Sequence, residues 1–263
     1  MSITSSNSYA VNANITVVES YVSRVGLKMS SAYLEATERA DKLTAMATPP
    51  TRAEVARAVS DAMAAGKDPA KSATVKDLLT RIDLAQPDIA THLATEAVGI
   101  RLEALTNSAD EIVASMATIV DECDARIQEA SALGIKDFAN DHSTRLGDIQ
   151  AQTEAREALV TLGDVVTAWK HLALATGLAR LSPEYDALIL AGPHEDEAHP
   201  GKWDALIPAQ HARPLSLATF TEYAERRKER QELRVTLTNR HAAEQERVNR
   251  QAYASAPGLL SQG

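Results

Sequence analysis

The chain has 263 residues, which is enough to bury a sizeable core in one large domain or two ordinary ones. Aromatic residues make up only 4%, and glycine (11) and proline (10) are scarce, a composition that favours helices over a sandwich, barrel or propeller. The net charge of -9 disfavours binding to nucleic acid or to an anionic membrane.

The N-terminal segment is polar and carries no lysine or arginine before Arg24, so it does not match a signal peptide. No run approaches the ~20 apolar residues of a membrane span. The single cysteine, Cys123, excludes an intrachain disulfide and fits a reducing compartment. We therefore expect no membrane contact and a cytoplasmic location, or a place in an assembly built there, such as a virion.

Residues 1–13 are small and polar and predict an N-terminal arm, followed by a helical bundle over 14–191. Apolar residues then recur at spacings of three and four, as on one face of a helix. The series comprises Ile15, Val18, Val22, Val25, Met29, Ala32 and Ala36. This pattern favours one core-facing helix ending at Pro49-Pro50, with an intermolecular coiled coil as the alternative.

The residues after Pro50 carry signals for the beginning and end of three further helices. Thr51 and Glu54 predict a capping box, and Gly66 is a suitable residue to end the helix that begins there. A short helix is expected over about 74–85, and Pro87 suits the first turn of the next one. The short helix should turn four apolar residues inward: Val75, Leu78, Leu79 and Ile82.

Two long helices are expected in the middle of the chain. The first closes at Gly134, and Ser108 with Glu111 either caps a new helix or lies inside a continuous one. The second runs over about 144–181 with Trp169 on its apolar seam. Because only a short link joins them, they should pack antiparallel. The predicted fold is an all-α, elongated helical bundle.

Residues 192–215 predict a long Pro/His-rich connecting loop. Zinc proteases use H-E-x-x-H, with histidines four apart, whereas His194 and His199 are five apart. We expect a solvated loop without metal; the alternative is a metal-dependent enzyme that uses His194, His199 and His211. Trp203 in this loop either seats it on the helices or anchors a partner.

Other catalytic signatures are missing from the sequence. The glycine spacing of phosphate-binding loops, the nucleophile elbow and the Glu-x-x-His pairs of di-iron bundles do not occur. Cys123 lies between Glu122 and Asp124, whose charges disfavour a thiolate, so it is interpreted as a buried structural residue. We expect no catalytic residue and no cofactor.

A charged C-terminal helix is predicted over 216–254, with a capping box at Thr219 and Glu222 and a tail over 255–263. Residues 220–254 hold eight Lys/Arg and six Glu, a net charge of +2, which leaves -11 for the remainder. With few apolar residues, this helix cannot bury a full stripe. The helix is therefore expected either to project into solvent, held by pairs four residues apart such as Glu222–Arg226 and Glu246–Arg250, or to bind an acidic protein surface, including another copy of this chain. The partner-binding residues predicted here are Phe220, Tyr223, Arg226, Arg230, Arg234 and Leu237, with Trp203.

These features favour a non-enzymatic structural or assembly protein that acts through helix–helix contacts. Ala/Thr-rich helical chains with charged ends are typical of assembly components, phage particles among them. A nucleic-acid-associated protein using arginines 226–234 is a further alternative, although interspersed glutamates would repel phosphate. The sequence shows no resemblance that names a family.

Overall fold

The computed structural model describes residues 5–135, 138, 146–194 and 204–255. These residues form helices and connections without a strand, so the prediction of an all-α protein is confirmed. The α-helices are α1 (Ser5–Arg24), α2 (Ser31–Met46), α3 (Arg52–Ala64), α4 (Ala73–Leu84), α5 (Pro87–Asn107), α6 (Ala109–Ala132), α7 (Leu146–Thr176), α8 (Ile207–Gln210) and α9 (Phe220–Ser255). Short 3-10 helices cover Pro69–Lys71 and Pro183–Ile189.

The helices group into two compact units. The first unit contains α1 to α5, the start of α6 and the end of α7 from Thr167. The second contains α6 from Met116, α7 as far as Val166, and the described chain from Ala179 through α9. This grouping differs from the expected bundle over 14–191 with a separate C-terminal helix, because α9 shares a unit with parts of α6 and α7.

The N-terminal region is helical where a polar arm was expected. Residues 5–13 form the first turns of α1, and Val11 is buried together with Ile15 and Val18. Small polar residues are thus accommodated in the helix because one apolar side chain per turn reaches the core. Residues 1–4 of the expected arm lie outside the described residues.

The single long helix expected up to residue 49 is wrong, because the chain breaks after α1. Gly26 adopts a left-handed φ of 80°, and the Leu27 amide donates to the Val22 carbonyl over 3.0 Å, which closes the helix. Ser30 then caps α2 by accepting a hydrogen bond from the amide of Tyr33. A coiled coil through the whole heptad would need a continuous helix, which this break excludes.

Beyond the break, α2 buries Ala36, as the heptad predicted, but not Ala32, and it adds two residues outside that series. Tyr33, Ala36 and Ala40 are buried, whereas Ala32 is exposed. Both α1 and α2 pack against α5, where Leu102 and Leu105 are buried. The apolar register therefore restarts with the new helix.

Helix α3 begins and ends as predicted. Thr51 and Glu54 form the capping box, with each backbone amide bound by the other side chain. Gly66 has a φ of 66°, and the amide of Lys67 donates to the carbonyl of Ala62 over 2.9 Å. Glycine is favoured here because a side chain would strain the left-handed backbone.

Helix α4 covers nearly the predicted range, but only part of its apolar face is inward. Val75 and Leu78 are buried, whereas Leu79 and Ile82 are exposed, contrary to the prediction. The helix packs on the short α3 and on the 69–71 turn, a support too narrow to cover the full stripe.

The junction between α5 and α6 has features of both predicted arrangements, a new helix and a continuous one. Helix α5 ends at Asn107 and α6 begins at Ala109, but helical hydrogen bonds continue through Ser108. The Ser108 amide donates to Ala104 over 3.1 Å, and the Ile112 amide donates to Ser108 over 3.0 Å. Gly134, with a φ of 82°, follows α6 as predicted.

Helix α7 ends at Thr176, before the predicted boundary at 181, because Gly177 has a left-handed φ of 71°. Trp169 is fully buried, which confirms its assignment to the core. By length and composition α7 could cross a membrane, but half of its most apolar window is buried inside the protein. A core helix meets the same criteria, so the absence of membrane contact stays a prediction.

Candidate interaction helix

The N-terminus of α9 is fixed by the predicted capping box. The amide of Thr219 donates to Oε2 of Glu222 over 2.8 Å, and the amide of Glu222 donates to Oγ1 of Thr219 over 3.2 Å. These hydrogen bonds lower the pKa of Glu222 by stabilising its charged form. The helix that follows has 36 residues, and its two parts have different surroundings.

The inner half of α9, residues 220–233, packs against the 183–189 helix. Phe220 and Arg230 are buried, and Tyr223 is only 1% exposed. Burial raises the pKa of Tyr223 to about 12, even though the neighbouring Arg227 charge opposes the shift. This half therefore belongs to the core of the second unit.

Three arginines of the inner half form what we call the arginine clamp: Arg226, Arg227 and Arg230. Each guanidinium donates to a backbone carbonyl of the segment before α9. Nη1 of Arg227 binds the carbonyl of residue 180 over 2.6 Å, and Nη1 of Arg230 binds that of residue 184 over 2.6 Å. Each contact gives a backbone carbonyl a charged donor, which ties the inner half of α9 to the segment that precedes it.

Arg226 joins two backbone segments. Its Nη1 donates to the carbonyls of Leu188 and Ser216, both over 3.0 Å, and its Nη2 donates to Oγ of Ser216 over 2.8 Å. Burial lowers the pKa of Arg226, while the charges of Glu222 and Glu229 act in the opposite direction. The guanidinium spans the 183–189 helix and the chain that enters α9.

Tyr185 provides the aromatic surface beneath the clamp. The guanidinium carbon of Arg227 lies 4.7 Å from its ring centroid, and that of Arg230 lies 5.6 Å away. Gln231 donates to the Tyr185 hydroxyl over 3.1 Å. Cation–π contacts of partly buried arginines strengthen such packing beyond the area buried.

The described part of the predicted 192–215 loop is partly packed: Ala205, Ala209 and Leu215 are buried, whereas His194 and His211 are exposed. The Leu215 amide donates to Asp124 on α6 over 3.2 Å, and Gln128 of the same helix donates to the Ala212 carbonyl over 3.1 Å. Just beyond it, Ala218 donates through its amide to the Ile189 carbonyl over 2.8 Å. The chain is thus bound to its own unit before α9 begins.

These contacts correct the expected partner surface. Phe220, Tyr223, Arg226 and Arg230 are occupied within the chain, so they do not form an open surface for a partner. Trp203 lies outside the described residues. Arg227 was predicted only as part of the arginine face 226–234, and Tyr185 was not identified from the sequence. The available signal for Tyr185 was its position just after the Ser-Pro start of a short helix.

The outer half of α9, residues 234–255, has a different environment. From Arg234 to Gln251 every residue is exposed except Leu237, which is half-buried. The inner half is neutral, with four basic and four acidic residues, whereas the outer half has four arginines and two glutamates, a net charge of +2. The net positive charge of the helix therefore resides where the helix is exposed.

The four arginines of the outer half fall into two pairs: two bind a glutamate of the same helix, and two have no side-chain partner among the described residues. Arg247 pairs with Glu244 over 3.4 Å, and Arg250 pairs with Glu246 one turn away. The side chains of Arg234 and Arg240 have no partner among the residues that the structure describes. Of the predicted partner-binding residues, Arg234 and Leu237 therefore remain accessible.

A second polar cluster lies in the first unit and ties three helices together. Arg101 on α5 binds both carboxylate oxygens of Glu19 on α1, over 2.7 and 2.8 Å, and donates to Asn12 over 2.9 Å. The Tyr33 hydroxyl on α2 donates to the same carboxylate over 2.6 Å. Burial and this bond raise the pKa of Tyr33 above its ordinary range. The charges are mutually satisfied, which suits a structural role.

An open groove of about 640 Å³ lies between α2 and α5. Arg39, Glu103 and Glu111 supply its charged lining, and the hydroxyls of Ser30 and Ser108 are 3.0 Å apart at its wall. The mixed charges and the exposed position provide neither an activated nucleophile nor a defined anion site. The groove does not define an active site.

Within the described ranges, no group of three His, Cys, Asp or Glu side chains could hold a metal ion. His194 and His211 belong to those ranges, but His199 does not, so the three-histidine site stays untested. Cys123 is buried, as predicted, and burial raises its pKa to about 11. A thiol with this pKa is a poor nucleophile at neutral pH.

Comparison of the chain with protein-family models, with curated proteins and with solved structures finds no match.

Proposed function

We propose that this protein is a non-enzymatic assembly protein and that the outer half of α9 is its docking helix for the acidic surface of another copy. The observation that supports this function is the contrast along α9: a clamped inner half continues into an exposed, basic outer half. A phage particle or its assembly machinery is the kind of context that the composition favours.

The arginine clamp makes the outer half suitable for binding. Because the inner half is fixed through Arg226, Arg227 and Arg230, the direction of the helix is set before a partner arrives. A preorganised element loses less conformational entropy on binding than a flexible tail does. At 1.5 Å per residue, the outer half presents a helical surface about 33 Å long.

Charge supports the choice of a second copy as the partner. The outer half carries +2, and the remainder of the chain carries -11. Opposite charges accelerate encounter and fix register at an interface. Val235 and Val248 are exposed on the outer half and supply apolar contacts of the kind that such a surface needs.

A truncation after Leu233 tests this proposal. The shortened chain keeps the arginine clamp, so we expect an unchanged thermal transition and a lower weight-average mass by light scattering at low salt. The triple variant Arg234→Glu, Arg240→Glu and Arg247→Glu should have the same effect, whereas the matched lysine triple should associate normally. Equal self-association of the full chain and the glutamate triple would refute the proposal.

The charge pattern also separates this proposal from the nucleic-acid alternative. Two of the four outer arginines are paired with Glu244 and Glu246, which leaves Arg234 and Arg240 for phosphate contacts. So small a footprint predicts weak binding that disappears as salt rises. Tight retention on duplex DNA at physiological salt, lost in the glutamate triple, would favour nucleic acid over a protein partner.

A further inference from the structure

Helix α5 carries a ridge of side chains between two open grooves of the first unit. The three residues that line both grooves are Ile100, Glu103 and Asn107. One groove, of about 640 Å³, has α2 as its other wall, and the second, of about 510 Å³, reaches Thr176 at the end of α7. A ridge of residues three and four apart between two grooves is the surface shape onto which another helix packs.

Small and apolar residues let a helix approach this ridge closely. The larger groove is lined partly by alanines, Ala32 and Ala36 on α2 and Ala104 on α5. The distance between two packed helices depends on the side chains at the contact, and it is shortest where these are small. Ile100, which is half-buried, supplies an apolar side chain on the ridge itself. The surface therefore has the shape for a helix and an apolar contact for it.

Three exposed glutamates run along the ridge, Glu96, Glu103 and Glu111. They line the two grooves at spacings of seven and eight residues, which places them within an arc of about 80° on one face. The row continues from α5 into α6 because helical hydrogen bonds pass through Ser108. In the part of the chain that the structure describes, none of the three carboxylates has a partner. With Arg39, which also lines the larger groove, the charged lining sums to -2. We call this row, with its two grooves, the acidic ridge.

The exposed outer half of α9 carries complementary charges at the same spacing. Arg240 and Arg247 are seven residues apart, as Glu96 and Glu103 are, so each pair spans two turns and about 10 Å. The outer half sums to +2, against the -2 of the acidic ridge. Charges that agree in sign, size and spacing fix the register of a contact between two helices.

The other side chains of the outer half fit the same surface. Leu237 and Val248 lie on the side of α9 that carries the two arginines, since all four residues fall within an arc of about 100°. Glu244 lies between the arginines, and Arg39, which has no partner among the described residues, is a cation available to it. The existing pair of Glu244 with Arg247 is exposed and weak, so docking can exchange it at little cost.

We infer that the acidic ridge of one copy is the surface on which the outer half of α9 of a second copy docks. This inference rests on the proposed function and names the binding site to which that function refers. Leu237 and Val248 are then covered by Ile100 and by the alanines of the larger groove. Each copy carries both a docking helix and an acidic ridge, so two variants with opposite defects should complement each other.

The first test replaces the carboxylates of the acidic ridge in the full chain. The ridge triple is Glu96→Arg, Glu103→Arg and Glu111→Arg. All three positions are exposed, so the variant should fold normally by circular dichroism. In sedimentation equilibrium at low salt, its dissociation constant for self-association should rise at least about tenfold, because arginine then faces arginine. Each exchange adds two positive charges, so the net charge changes from -9 to -3, which by itself would favour association.

A matched control makes the same charge change at another place. It is Glu122→Arg with Glu129→Arg and Glu157→Arg, at exposed positions outside the linings of both grooves. Glu122 and Glu129 are also seven residues apart, so the control keeps the spacing and changes only the location. Its self-association should be no weaker than that of the native protein. If the control weakens association as much as the ridge triple does, α9 responds to overall acidity and the inference is overturned.

A mixing experiment tests the pairing of the two surfaces. The ridge triple is combined with the glutamate triple of α9, Arg234→Glu with Arg240→Glu and Arg247→Glu. Alone, each variant sets like charges against each other and should stay largely monomeric. In an equimolar mixture, the arginines of the altered ridge meet the glutamates of the altered α9, and association should recover. Recovery also shows that both variants are folded and that the contact forms between copies. A mixture that stays monomeric would contradict the inference.

The same measurements separate this inference from the proposed function. If the glutamate triple of α9 loses self-association but the ridge triple keeps it, α9 docks elsewhere, and only the acidic ridge is refuted as its site. If the native chain is monomeric at every concentration, or if the glutamate triple associates as the native chain does, the proposed function and this inference are both overturned.

Discussion

The two halves of α9 show how similar sequence can serve opposite purposes. Both halves are rich in arginine and glutamate and poor in large apolar residues. The inner half is nevertheless built into the second unit, whereas the outer half is exposed along nearly its whole length. The difference comes from what lies opposite: the inner half faces Tyr185 and a row of backbone carbonyls from residues 180 to 188.

Arginine is well suited to this inner environment. Its guanidinium remains charged, offers five donors in a plane and stacks on aromatic rings, while its aliphatic stem packs against apolar neighbours. Arg230 is buried for these reasons, with its charge directed to the carbonyl of Glu184. A charged helix can therefore belong to a core when carbonyl acceptors line the opposite surface.

The largest expected contrast comes from truncating apolar side chains in each half. Tyr223→Ala should cost about 3–5 kcal/mol of unfolding free energy, because it empties a fully buried aromatic site. Val235→Ala in the outer half should change it by less than about 0.5 kcal/mol. Urea denaturation followed by circular dichroism measures both. Equal losses would mean that the outer half is as well packed as the inner half.

A smaller contrast is expected for the arginines. Arg230→Ala leaves the carbonyl of Glu184 without its donor and should cost about 1–3 kcal/mol. Arg240→Ala, which changes an exposed residue, should be close to neutral. The matched Arg230→Lys variant keeps the charge but loses the planar group over Tyr185. Its unfolding free energy should therefore lie between those of Arg230→Ala and the native protein. If Arg230→Lys equals the native protein in urea, charge alone explains the clamp.

The capping box gives a pH-dependent prediction. The pKa of Glu222 is lowered in the folded protein, so its contribution to stability is present above the ordinary glutamate pKa and is lost as pH falls through the lowered value. Thermal melts should show Glu222→Gln less stable than the native protein at pH 7, with the difference in melting temperature narrowing as pH falls below the ordinary glutamate pKa. Thr219→Ala should cost about 1 kcal/mol at pH 7. A difference between Glu222→Gln and the native protein that does not change with pH would show that the Glu222 charge does not stabilise the cap.

The smallest effect is expected from the ion pairs of the outer half. Glu246→Gln removes the partner of Arg250 on an exposed face and should cost no more than about 0.5 kcal/mol of local helix stability. Added salt should erase even this difference. Carbon-13 shifts of residues 240–251 report it, and a salt-insensitive loss of helix would show that the pair is not simply a surface contact.

The helical class and several boundaries could be predicted because they depend on local chemistry. Thr51 with Glu54 and Thr219 with Glu222 form capping boxes through neighbours three residues apart. Gly66 adopts a left-handed conformation that its sequence position suggests. The break at Gly26 was missed because apolar spacing continues across it, so periodicity concealed the end of the helix.

The surroundings of α9 could not be predicted in the same way. The half-buried Arg226 and the buried Arg230 bind carbonyls 38 and 46 residues earlier in the chain, which only the fold brings opposite them. Sequence alone shows charges on a helix, and solvation is the ordinary interpretation of that pattern. Arg234, which is exposed, and Leu237, which is half-buried, remain accessible because that interpretation holds for the outer half.

Hydrogen exchange measured by mass spectrometry on the full chain tests the division of α9 most directly. Amides of residues 224–233 should exchange only through unfolding of the unit, whereas those of 238–251 should exchange through local opening and therefore much faster. The boundary between slow and fast amides should fall near Arg234. Uniform protection along the helix, or uniformly fast exchange that includes Tyr223 and Arg230, would contradict the account.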